Sequence, residues 1–143
     1  MSVEEKHWWT YAAIALVVPA IYFAIVLPQV AGTQVDEIEF QVPLLVAGGA
    51  GAVLGVIATI VLRISSDVTS PRGVALKDQR DRDIHRLGEY VGGIVLAVAM
   101  ALPFGLALLE VDHFWIANGM YLAFVLSALA GSVAKLVIYR RGF

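Results

Sequence analysis

Charged residues are absent from four stretches of the chain: between His7 and Asp36, between Glu39 and Arg63, between Glu89 and Glu110, and between His113 and Lys135. Each stretch is mostly apolar and offers the ~20 residues a helix needs to cross a hydrocarbon core of roughly 30 Å. The pattern predicts spans near residues 8–27, 42–62, 90–109 and 114–134. Backbone amides find no water inside lipid, so each span is expected to be helical. The predicted fold is all-α: an integral membrane four-helix bundle in which residues 1–143 form one membrane domain.

Composition agrees with a lipid setting. The hydrophobic fraction is 59% and the charged fraction 15%, against about 45–50% and about 25% in soluble domains. There are no cysteines, which excludes disulfides and thiolate metal sites. The net charge of −2 says little, but its distribution is one-sided. Lys6 precedes the first span; Arg63, Arg72, Lys77, Arg80, Arg82 and Arg86 lie between the second and third; Lys135, Arg140 and Arg141 follow the fourth. The opposite side carries Asp36, Glu37, Glu39, Glu110 and Asp112 and no Lys or Arg. Basic loops stay on the cytoplasmic side, so both termini are expected to be cytoplasmic, in a multi-pass protein of the cell membrane. The segment before the first span has Glu4 and Glu5 against one Lys6, a poor signal-peptide start, so the first span is expected to be retained. Trp8, Trp9 and Tyr11 at one interface and Phe114, Trp115 and Tyr121 near the other read as aromatic belts.

Small residues at spacing four let membrane helices approach closely. Gly51 and Gly55 in the second span, Gly88 and Gly92 at the head of the third, and Ser127 and Gly131 in the fourth are the candidate packing positions. Pro19 and Pro103 each remove a backbone donor and are expected to kink their helices. The third and fourth spans make an antiparallel hairpin turning near Asp112. Counting equally from that turn sets Glu89 and Lys135 at one depth, as a candidate intramembrane charge pair. Their position at span ends favours a structural tether, with lysine extending toward water, over a proton or ion relay.

The stretch 63–89 joins the second and third spans. Residues 64–76 are rich in turn formers and read as a loop. From Lys77 a mixed-sign run predicts a juxtamembrane helix, on which Asp78, Asp81 or Arg82, His85 and Glu89 share a face. Such a helix suits a solvated extension near anionic lipid heads or a docking surface formed by Asp78, Arg80, Asp81, Arg82, His85 and Arg86. A carboxylate–histidine site from Asp78, His85 and Glu89 is the weaker third reading, because one histidine with scattered acids is unspecific. The run Asp78-x-Arg80-Asp81-x-x-Ile84 ahead of a span, with Asp112-His113-Phe114-Trp115-Ile116-Ala117-Asn118 and the ending Tyr139-Arg140-Arg141-Gly142-Phe143, resembles small four-span bacterial and archaeal membrane proteins grouped as a domain of unknown function. That resemblance implies a four-helix membrane fold and no activity.

The acids Asp36, Glu37, Glu39, Glu110 and Asp112 with His113 could gather at the outer mouth, although an outer surface poor in Lys and Arg retains acids by default. No phosphate-binding glycine loop, nucleophile motif or paired-histidine metal motif occurs. The sequence therefore predicts no catalytic residue, no metal and no cofactor. Acids interleave with the basic residues, which argues against nucleic acid. The expected partners are the lipid bilayer and either further copies of the chain or another membrane protein. The expectation is a non-enzymatic accessory or regulatory membrane protein acting through its juxtamembrane helix. The alternative is a homo-oligomeric channel or transporter for a cation or small solute.

Overall fold

The computed structural model describes residues 3–67 and 74–141, with side-chain placements described for residues 8–61, 64 and 82–140. Nearly all of it is helix. Helix α1 runs Val3–Val26, followed by two short 3-10 turns at Leu27–Ala31 and Val35–Glu37. Then come α2 (Gln41–Asp67), α3 (Val74–Ala99), α4 (Ala101–Leu108) and α5 (His113–Arg141). Four segments are long and apolar enough to cross a membrane: Trp8–Ala31, Gln41–Val61, Arg82–Leu108 and His113–Arg140.

The connection between the second and third spans is more helical than the turn formers suggest. The loop expected over 64–76 gives way to helix as far as Asp67 and again from Val74; residues 68–73 lie outside the described residues. Ser and Thr hydroxyls are neutral in a helix continued from a span, so the span's periodicity overrides them. The juxtamembrane helix and the start of the third span are one continuous element, α3.

The two interior prolines act differently. Helix α1 continues through Pro19 without interruption. Pro103 lacks the N–H that would bond to the Ala99 carbonyl, and there the third span breaks into α3 and α4 at Met100. The neighbouring bonds survive, from Met100 N–H to the Leu96 carbonyl and from Phe104 N–H to the Met100 carbonyl. Pro103 is buried against Gly119 of α5, where a Cβ would sit 3.3 Å from the proline Cβ.

The helices form an open row. α3 packs along α5, α4 along the start of α5, α1 between α5 and α2, and α2 chiefly against α1. Tyr11 of α1 lies over Gly55 of α2, where an added Cβ would meet its hydroxyl at 3.0 Å. Gly51, expected in the same packing stripe, has nothing within 4 Å of where a Cβ would be, so it makes no close approach within the chain. It lies one turn from Gly55, but only the latter falls beneath a side chain of α1.

A compact core closes the acidic end. Tyr22 and Val26 of α1, Ile38 and Phe40 of the connection, Ala47 of α2 and Phe114 of α5 are buried together. The run Ile38-Glu39-Phe40 alternates inward, outward, inward, so the acid stays exposed while the apolar neighbours turn in. Phe40 meets Phe114 edge to face, with centroids 5.1 Å apart. Ile38 and Phe40 lie outside the spans, where burial takes apolar surface from water and contributes about 1.5–3 kcal/mol each. Within the spans lipid is as apolar as the side chains, and close packing and polar contacts hold the helices instead.

Candidate functional site

At the basic end, α3 and α5 touch backbone to backbone. A Cβ on Gly131 would lie 3.1 Å from the Gly88 carbonyl oxygen, and one on Gly92 would lie 3.1 Å from the Ser127 carbonyl oxygen. The Ser127 hydroxyl donates to the Gly92 carbonyl at 2.8 Å. Gly88, Gly92, Ser127 and Gly131 thus form one continuous seam.

That seam decides the course of Lys135, one turn beyond Gly131. Its methylenes cross directly over Gly88, where any Cβ would overlap them. Lys135 is only 3% exposed. Its ammonium donates to Glu89 Oε1 at 2.5 Å and sits 3.9 Å from the centroid of the Trp8 ring. Trp8 in turn stacks on His85, with ring centroids 5.9 Å apart and planes 28° apart. His85 Nδ1 is 4.0 Å from Glu89 Oε1, one turn away on α3 and beyond hydrogen-bond length. Residues of α1, α3 and α5 therefore meet around a single ammonium.

The electrostatics are lopsided. Glu89 is 64% exposed at its side chain while Lys135 is enclosed. A buried ammonium is costly unless paired; here the carboxylate and the negative face of the indole offset its desolvation. A second cation–aromatic contact lies beside it, with the Arg140 guanidinium 5.6 Å from the Trp9 ring. Adjacent tryptophans at the start of α1 thus engage two cations near the end of α5, where positive charge also suits the helix dipole.

Of the residues assigned to docking, Arg82, His85 and Arg86 are exposed along α3. Asp78, Arg80 and Asp81 belong to the same helix, but their side chains lie outside the described residues, as does the Asp78 part of the suggested carboxylate–histidine set. At the opposite end Asp36, Glu37, Glu39, Glu110, Asp112 and His113 are exposed. Among the described residues no three His, Asp or Glu side chains come together as a metal-holding group.

Sequence reasoning did not identify two features. Trp8 is more than an interfacial anchor, because its ring lies between Lys135 and His85; an aromatic–cation contact between distant segments has no local signal. The other is a buried polar link, in which the Tyr22 hydroxyl donates to Asn118 Oδ1 at 2.8 Å and the Asn118 amide donates to the Phe114 carbonyl at 2.8 Å. The sequence offers half of this link, since Asn118 is a polar residue within a span and is expected to hydrogen-bond between helices; its partner Tyr22 had no signal of its own. Chemically the site is an ionic and aromatic clasp that fixes α3 to α1 and α5. No protein family, curated protein or solved structure matches this chain.

Proposed function

We propose that this chain is a non-enzymatic accessory or regulatory protein of the cytoplasmic membrane that presents the leading part of α3 to a protein partner. The observation that carries the reading is the continuity of α3. It runs unbroken from Val74 to Ala99 and is clasped at Glu89; the segment ahead of the clasp is roughly 22 Å long at 1.5 Å per residue, with Ile84 buried against the bundle and Arg82, His85 and Arg86 exposed. A helix clasped to the bundle in this way costs less entropy to dock than a flexible loop. Its charges alternate in sign through Lys77, Asp78, Arg80, Asp81, Arg82 and Asp83, a pattern that favours register-specific ionic contacts over general attraction. The one-sided distribution of all ten basic residues supports placing this end in the cytoplasm.

The test is cross-linking and capture from native membranes, with any partner verified by reciprocal capture. The double charge reversal Arg80→Glu with Arg82→Glu should cut recovery at least fivefold while leaving the melting of the bundle unchanged. Unaltered recovery refutes the docking role. Reconstitution supplies the second arm: cation flux above that of protein-free liposomes would refute the accessory reading in favour of transport.

A further inference from the structure

The face of α3 turned away from α5 has its own progression of chemistry. Ile84, Gly88 and Gly92 are buried on the α5 side. On the other side Arg82, Arg86 and Tyr90 follow at successive turns, and Gly93 and Ala97 continue the stripe toward the membrane interior. All five are exposed. A Cβ at Gly93 would meet nothing within 4 Å, so the helix surface is notched there, just beyond the Tyr90 ring. Ile94 and Val98, both exposed, wall one side of the notch.

The local charge is positive. Glu89 is engaged by Lys135, Arg82 already has a partner within the chain, and Asp83, exposed on the same face, opposes part of the field of Arg86. Arg86 makes no ion pair among the described residues. From Arg82 to Ala97 the stripe covers roughly 22 Å along the helix. Over that distance it passes from guanidinium to phenol to a shallow apolar trough. A phospholipid changes from phosphate to ester to acyl chain in the same order. Soluble protein surfaces do not combine these at fixed depths.

The geometry points to this stripe as a binding site for an anionic phospholipid of the inner leaflet. Arg86, with Arg82 beside it, takes the phosphate through its forked donors. Tyr90 lies at the ester level, where amphipathic rings collect, and one acyl chain lies over Gly93 and Ala97. The inference rests on the inner-leaflet placement proposed above, but it needs no protein partner and goes beyond the docking role.

The test is lipid retention by the full chain in detergent, read by native mass spectrometry after exposure to vesicles of phosphatidylglycerol or of phosphatidylcholine. At roughly fivefold per arginine, Arg82→Gln with Arg86→Gln should weaken phosphatidylglycerol retention about twenty-five-fold. Gly93→Leu fills the trough from a Cβ that meets nothing within 4 Å and should weaken retention severalfold, with Gly93→Ala weakening it less. Arg63→Gln removes a cation at the same end but on α2, and should leave retention as it is. Equal retention by the double variant, an equal loss from Arg63→Gln, or equal retention of phosphatidylcholine by the unmodified chain would overturn the site. So would full competition by inorganic phosphate, which would mean that the acyl trough contributes nothing. Unaltered partner recovery by Arg80→Glu with Arg82→Glu, alongside the lipid outcomes expected here, would count against the docking role alone and leave the lipid site standing.

Discussion

Removing Glu89 should cost more than removing Lys135, although the two form one pair. Glu89→Ala leaves an ammonium that is 3% exposed with the Trp8 ring as its remaining partner among the described residues. Breaking a fully buried pair by deleting one member costs about 3–5 kcal/mol. Here the carboxylate is 64% exposed, so its attraction is screened, and a discounted cost of ~1–2 kcal/mol is appropriate. Lys135→Met removes the charge but keeps an unbranched chain over Gly88, and it leaves an exposed carboxylate that water already solvates. Its cost should stay below ~1 kcal/mol. The double variant should resemble Lys135→Met alone, because the penalty of Glu89→Ala is the stranded ammonium and disappears with it. The assay is thermal or denaturant unfolding of all four proteins in one detergent, treated as a double-mutant cycle. If Lys135→Met destabilises as much as Glu89→Ala, or if the two costs simply add, the ammonium is not the group whose burial is being compensated.

The glycines should sort by what lies above them. Gly88→Ala is expected to cost about 1–3 kcal/mol through overlap with Lys135, whereas Gly51→Ala and Gly93→Ala, facing open space, should be neutral or gain ~0.5–1 kcal/mol from lower backbone entropy in the unfolded chain. The same unfolding assay reads both. Glu110 holds φ at 55° and closes α4, with its N–H bonded to the Ala107 carbonyl and that of Val111 to the Leu106 carbonyl, the position where helices favour glycine. Glu110→Gly should therefore raise stability by about 1 kcal/mol, and a lower melting temperature would refute the strain argument. Tyr22→Phe removes the donor to Asn118 Oδ1 and should cost about 1–2 kcal/mol, with Asn118→Leu in the same background recovering part of it.

The spans were legible because lipid allows few solutions: a charge-free run of sufficient length has to be a helix. The Glu89–Lys135 pair was legible for a related reason, since a short hairpin turn fixes equal depths on two antiparallel helices, leaving only the facing to chance. Facing was the part sequence could not supply. Gly51 and Gly55 are equivalent as letters, yet only Gly55 lies under Tyr11. Trp8 carried a sound interfacial signal that concealed its contact with Lys135, because that contact depends on how α1 packs beside α5. The acidic connection was read through its charges, while Ile38 and Phe40 between them are buried. The alternation of inward and outward residues was present there, but over three residues it is too short to stand out from the surrounding charge.

The two ends of the bundle are stabilised by different physics, and that bears on how α3 could carry a signal. The acidic end is held by interlocking aromatics and the buried hydrogen bonds of Asn118, contacts that respond weakly to salt or surface charge. The basic end is held by an ion pair and aromatic–cation contacts, which depend on the local dielectric and on competing anions. Between them the break at Met100 separates α3 from α4, while the seam of Gly88, Gly92, Ser127 and Gly131 holds α3 along α5, the helix that carries Phe114 into the aromatic core. Charge added beside Arg82 and Arg86 would therefore meet the end whose described contacts are ionic.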